Sequence, residues 1–290
     1  MPSRSSLCTR WTSAEARGCI KPPLQSDHKY TRGVLGMVTG SHKYPGAAVL
    51  TTAAALATGV GMVRFYPEAT RAELALLVLQ RSPEVVVAPG KVHAWLLGSG
   101  VAPAEGWSLS NWLRHRQMAT AKAHAAPTVL DAGGLYLAGT LGSPTLITPH
   151  AGELAELLSA RGVPVHHRDI TDDPQHWATM AQQTLGVTVL LKGAHTVVAG
   201  KDTCIALPPS TPWLATAGTG DVLAGIVGAL VATQHLEVVS NPALMAPLAA
   251  TAAYIHSRAA QLASGGGPLT ANALIQAISQ VMRELLSTQG

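Results

Sequence analysis

Two kinds of apolar pattern alternate along the chain. Short runs that are apolar throughout predict strands at Gly33–Thr39, Met62–Tyr66, His93–Leu97, Thr128–Leu130, Thr145–Thr148 and Val187–Leu191, with a further apolar piece at Val85–Val87. Between them, apolar residues recur every three to four positions. This spacing predicts helices over Ala47–Thr58 (closed by Gly59), about 70–81, about 108–124, from near Glu153, and over 173–185, entered through Pro174 and closed by Gly186. Three more helices at about 219–233, 242–263 and 271–287 finish the chain. Thr196–Ala199 and Cys204–Leu207 read as a hairpin around Gly200–Asp202. Strands that are apolar on both faces and separated by helices indicate a mostly parallel sheet covered on both sides. Residues 1–26 are polar, carry Pro22 and Pro23 and show no sustained period, so they are expected to be an extension or linker outside the core, with the folded domain over 27–290.

The segment Ala215–Asp221 is a run of small residues that stops where the helical pattern of 219–233 begins. Gly218 and Gly220 have no Cβ, so the backbone can turn tightly and approach a ligand, and the free N–H groups of the following turn can face an anion. Val222, Leu223, Ile226, Val227, Leu230 and Val231 form one buried face of that helix, while Gly225, Gly228 and Ala229 permit close packing. Asp221 sits at the mouth of the turn. An aspartate there is an ordinary capping or first-turn residue, but it is also where a base would stand beside a phosphate site.

In an open parallel sheet, ligands bind beyond the carboxyl ends of the strands. Gly40, Gly98, Asp131, His150, Lys192 and the glycine-rich turn all fall at such ends. Taken singly they read as turn glycines, a cap, a surface histidine and a solvated lysine. Six of them at one edge point to a site.

Composition narrows the classes. The 290 residues are 47% hydrophobic and only 12% charged, which describes a well-buried globule. Net charge is +4, but the basic residues are scattered and aromatics make up 4%, so a nucleic-acid surface is not expected. No apolar stretch is long enough to span a membrane. Cys8, Cys19 and Cys204 show no metal or disulfide spacing, so inert thiols in a reducing cytoplasm are expected.

Several ordered blocks carry a family resemblance: His28–Val34 with Thr39–Ser41, Tyr44–Leu50, Gly98–Gly100, Val129–Ala132, Leu146–Glu153, Leu191–Thr196 and Pro212–Gly225. From about His28 to the last helix, the chain resembles the ADP-dependent NAD(P)H-hydrate dehydratases of the ribokinase-like superfamily. The resemblance implies a three-layer α/β/α domain, and a reaction in which ADP phosphorylates the ring hydroxyl of hydrated NADH or NADPH before phosphate is expelled. It implies Asp221 as base. It places Lys192, Gly193, Ala194, His195, Thr196, Gly218 and Gly220 around the nucleotide, and Ala47, Gly100, His150 and Asp221 around the hydrated nicotinamide. ADP, with ATP as an alternative, and Mg²⁺ are the implied co-substrate and helper ion. An NAD(P)H-hydrate epimerase is the implied functional partner, and a homo-oligomer the implied assembly. Fused members carry the epimerase domain in front, and the first 26 residues resemble the linker. Two departures stand out. Gly133 occupies a position where the family commonly has aspartate, and Gly98–Ala102 replaces a Gly-Pro-Gly-Leu-Gly block. A ribokinase-like kinase that releases a stable phosphoester and a non-catalytic nucleotide-binding subunit are the alternative readings.

Overall fold

The computed structural model describes residues 8–67, 72–102 and 109–287. Residues 1–7, and the first positions expected of the helices near 70 and 108, lie outside the described residues. In chain order the strands are β1 (Thr9–Arg10), β2 (Val34–Val38), β3 (Met62–Phe65), β4 (Ala94–Leu97), β5 (Thr128–Leu130), β6 (Thr145–Ile147), β7 (Thr188–Leu191), β8 (Val197–Gly200) and β9 (Thr203–Ala206). The helices are α1 (Ser13–Gly18), α2 (Pro45–Thr58), α3 (Ala72–Arg81), α4 (Leu109–Ala121), α5 (Ala151–Ser159), α6 (His167–Asp172), α7 (Pro174–Leu185), α8 (Thr219–Thr233), α9 (His235–Ser240), α10 (Met245–Ser264) and α11 (Ala271–Ser287).

One sheet runs in the order β1-β9-β8-β7-β6-β5-β4-β2-β3. From β3 to β7 every neighbouring pair is parallel, and β7-β8-β9 is the antiparallel exception. Because successive strand residues point to opposite faces, the uniformly apolar strands feed two cores. Leu96, Leu146 and Leu190 join the core beneath α2, α8, α10 and α11, whereas Trp95, Leu97, Ile147, Val189 and Leu191 join the core on the α5 and α7 side. The three-layer α/β/α architecture is the one the apolar pattern implies.

α8 lies between the sheet and α2, and twelve of its residues from Thr219 to Ala232 are buried. Each large aliphatic side chain on it stabilises the fold by roughly 1.5–3 kcal/mol. Its glycines set the spacing. A Cβ on Gly225 would stand 2.4 Å from the Thr51 carbonyl oxygen of α2, so alanine there would force the two helices apart.

The N-terminal segment departs from expectation. β1 pairs in parallel with β9, and Trp11, Ala16 and Ile20 are buried in the larger core, so residues 8–20 are part of the fold and not a linker outside it. A two-residue strand has no period to read, and three isolated apolar residues do not make a pattern. The same register sets Thr9 against Ile205, which brings Cys8 beside Cys204, and the two are joined as a disulfide with Cα atoms 4.5 Å apart. The expectation of three free cysteines is therefore wrong; Cys19 alone is free. The case for a reducing compartment built on those cysteines loses its premise. The expected helix over 242–263 starts at Met245, after a 3₁₀ turn entered through Pro242, and α9 and α6 were not foreseen.

Candidate active site

The segments that follow β2, β4, β5 and β6, together with the start of α8, enclose a cavity of about 1040 Å³ whose wall includes Ala47, Leu50, Gly100, Gly133, Tyr136, Glu153, Gly218 and Asp221; Lys192, after β7, stands outside that wall. Loop geometry at this edge depends on absent side chains. Gly40 N–H donates to Ser99 O at 2.7 Å, tying the ends of β2 and β4 together. Gly100 has φ +65°, and a Cβ there would lie 2.2 Å from the Ala47 Cβ, so these two residues define one wall by close contact. Gly133 is buried, and a Cβ on it would meet Val101 O at 2.3 Å. The backbone therefore fills the space that a family aspartate would occupy.

The glycine-rich turn ends at Gly218, which has φ +89° and forms the N-cap of α8 with no side-chain capping bond. Thr219 N–H turns back to Thr216 O, and Val222 N–H reaches Gly218 O. Between them, among the described residues, the N–H groups of Gly220 and Asp221 find no acceptor in the chain. Two free amides at a helix start are able to receive an anion, the arrangement expected of this turn from its sequence. Asp221 is the third residue of the helix rather than its cap. Burial, followed by the negative charge of Asp131, pushes its carboxyl up to about 7, with Lys192 opposing the rise. A carboxylate of that affinity can take a proton near neutral pH.

Beneath the turn, His256 of α10 is buried, and its Nε2 lies 2.9 Å from Thr219 O. Since a carbonyl only accepts, Nε2 carries the hydrogen and donates it. Burial depresses the imidazole to about 4, so it holds the first turn of α8 as a neutral donor. The sequence gives no signal for this role, because a histidine in an apolar helix reads as core.

Lys192 follows β7, and its N–H donates to Pro149 O, which sets it beside His150 at the end of β6. Its ammonium donates to Asp131 Oδ1 at 2.9 Å, lies 3.9 Å from Glu153 Oε2, and would be 3.7 Å from a Cβ on Gly220. These opposite charges hold its pKa up against burial. Lys192 is thus an ion-paired group beside the anion turn and not a solvated lysine. Asp131 stands at the N-cap position of the 3₁₀ turn that follows β5, but its side chain makes no capping bond and is buried among Ser99, Thr148 and Lys192. Gly193, Ala194 and His195 form an exposed turn before β8, and Thr196 Oγ1 donates to Gly193 O across it.

His150 is placed at this edge but outside the cavity wall. It N-caps α5: Nδ1 accepts from Gly152 N–H and Glu153 N–H, while Glu153 Oε2 accepts from the His150 N–H at 2.8 Å. The capping box turns Glu153, which does line the cavity, toward Lys192. Of the residues expected around the hydrated nicotinamide, Ala47, Gly100 and Asp221 share the wall and His150 stands behind Glu153.

Comparison with known proteins identifies the family and the fold. Residues 35–280 match the family model described as NAD(P)H-hydrate dehydratase. The chain is 39% identical over 235 residues to the bifunctional NAD(P)H-hydrate repair enzyme Nnr of Mycobacterium tuberculosis, covering 77% of this chain and 45% of that one. It therefore spans about half the length of such relatives. With the ADP-dependent (S)-NAD(P)H-hydrate dehydratase of Neisseria meningitidis it shares 32% identity over 85% of this chain and 84% of the relative. The fold is also that of the ADP/ATP-dependent NAD(P)H-hydrate dehydratase of Bacillus subtilis co-crystallised with ATP and Mg²⁺, with a TM-score of 0.79 at 24% identity over 97% of this chain and 99% of that one. With the family model matched over most of its length, the chain belongs to the NAD(P)H-hydrate dehydratase family.

Proposed function

We propose that the chain dehydrates the S epimer of hydrated NADH or NADPH, with ADP as phosphoryl donor and AMP and phosphate as products. The hydroxyl of the hydrated ring is a poor leaving group near neutral pH. Asp221 takes its proton as the oxygen attacks the terminal phosphorus of ADP, and the bond to AMP breaks. The ring nitrogen's lone pair then expels phosphate, and loss of the neighbouring ring proton restores the double bond. The observation that carries this reading is the pairing of two free amides, on Gly220 and Asp221, with the Asp221 carboxyl held near 7, at a turn whose Gly218 and Asp221 line the cavity.

Lys192 to Thr196, with Gly218 and Gly220, would contact the nucleotide; Ala47, Gly100 and Asp221 would contact the reduced ring, with His150 holding Glu153 at its edge. The names of the Neisseria and Bacillus relatives support the choice of donor. Among the described residues no cluster of three or more His, Cys, Asp or Glu side chains is arranged to hold a metal. Mg²⁺ would therefore enter on the nucleotide's phosphates, as it does where few protein ligands are offered, and would neutralise charge there. Cooperation with an NAD(P)H-hydrate epimerase extends the proposal and is supported by the bifunctional name of the mycobacterial relative. A cytoplasmic homo-oligomer is the setting we propose for it, a compartment that the Cys8–Cys204 disulfide does not itself support; separately, among the described residues no helix is long and apolar enough to cross a membrane.

Chromatography of the products tests the reaction. AMP and free phosphate appearing in step with restored NADH support it. A phosphorylated small molecule that accumulates instead would move the chain to the kinase reading.

A further inference from the structure

Among the described residues, the one buried acid that the proposed reaction leaves idle is Asp131. It stands at the end of β5, between neighbours whose backbones fix it: its N–H donates to Leu97 O of β4, and Thr148 N–H donates to Leu130 O. Those neighbours also supply hydroxyls. Ser99 Oγ donates to Oδ2 and Thr148 Oγ1 to Oδ1, each at 2.8 Å, so both oxygens are occupied before Lys192 arrives at 2.9 Å. A carboxylate gripped in this way cannot swing, and neither can the ammonium it holds.

Lys192 has a choice of partners. Asp131 faces it from β5 and Glu153 from α5, Asp221 interacts with it electrostatically from α8, and the neutral imidazole of His256 lies below on α10. Among the described residues its ion pairs are with Asp131 and Glu153, and none is made with Asp221. We propose that Asp131 is a positioning residue for the reaction: it holds the Lys192 ammonium out of a salt bridge with Asp221, which leaves the Asp221 carboxylate unpaired and able to accept the hydroxyl proton. This rests on Asp221 being the base. An ammonium seated directly on Asp221 would neutralise it and strip its proton affinity. The raised affinity of Asp221 has burial as its first cause and the charge of Asp131 as its second, against Lys192, which agrees with the geometry.

Asp131→Asn tests the inference, because it keeps the shape and removes the charge. Repulsion on Asp221 falls and Lys192 is released toward it, and both changes lower the affinity of Asp221. The acidic limb of the kcat profile should therefore move to lower pH by about one unit or more. The titration of Asp221 is also read without activity, from the pH dependence of the melting-temperature difference between each protein and its Asp221→Asn partner. Thr148→Val keeps the charge of Asp131 and its pair with Lys192, so its limb should stay in place. Lys192→Met should move the limb the opposite way, and serves if Asp131→Asn does not fold.

A downward shift in both readouts for Asp131→Asn supports the proposal. An Asp221 titration unmoved by Asp131→Asn, or a limb that Thr148→Val displaces equally, overturns it in favour of a packing role. If the melting readout shifts while the activity limb does not follow, the ion-pair inference stands and the assignment of Asp221 as base falls.

Discussion

Replacing Asp221 by Asn separates the chemistry of this carboxyl from its place in the helix. Gly218 is the N-cap, so Asp221 makes no capping bond that Asn must reproduce. Turnover should fall by roughly 10²–10⁴-fold if the carboxyl is a general base. The structure adds a second effect of opposite sign. The carboxyl is raised from 3.8 to about 7 by folding, so the folded state favours its neutral form. That contribution is fully present below the unfolded value and is lost as pH rises through about 7. Ionising it in place costs at most about 4 kcal/mol. Asn never incurs this cost. The variant should melt higher than the wild type, with a gap that opens above about pH 4, levels off beyond about pH 7 and reaches several degrees. Paired melting curves and kcat on the same samples, with nucleotide binding as a control on the site, make the assay. A variant with near-native turnover would remove Asp221 from the mechanism. A melting gap that does not change with pH would show that its carboxyl is not perturbed.

Three further outcomes follow from the geometry. Gly218→Ala places a Cβ at φ +89° and 2.6 Å from Leu50 Cδ1, so it should weaken nucleotide binding and lower stability by about 1–3 kcal/mol; titration calorimetry showing native affinity would contradict the anion turn. His256→Phe removes the donor to Thr219 O while filling the space, and should cost about 1–3 kcal/mol and raise the KM for nucleotide; an unchanged KM would mean that the bond does not shape the turn. The Cys8–Cys204 pair closes 196 residues of sequence, so a reductant should lower the melting temperature of the wild type and leave Cys8→Ser unmoved. A wild type indifferent to reductant would refute the pairing.

What the sequence made legible and what it hid differ for physical reasons. Strand and helix periods are local, and they are enough to place β2 to β9, α8 and the carboxyl edge of the sheet. The glycine-rich turn was legible because glycine pairs and a following apolar helix leave few alternatives. Asp131 and Lys192 could be seen one by one, but their pairing with each other and with Glu153 arises because β6 alone separates β5 from β7 and α5 starts just after β6, and it carries no trace in their spacing. His256 was hidden because it is 37 residues from the carbonyl it supports. The docking of residues 8–20 leaves no local pattern, because a strand as short as β1 is defined by its partner β9 and not by its own sequence.

The central claim is that this cavity restores a reduced nicotinamide at the expense of a nucleoside diphosphate. It is tested most directly by following the reduced-nicotinamide absorbance band when the wild type and Asp221→Asn receive hydrated NADH with ADP. The wild type should regain the band only when nucleotide is present, and the Asn variant should regain it at least ~100-fold more slowly. A wild type that binds both compounds and never restores the band, or one that restores it equally well without nucleotide, would contradict the claim.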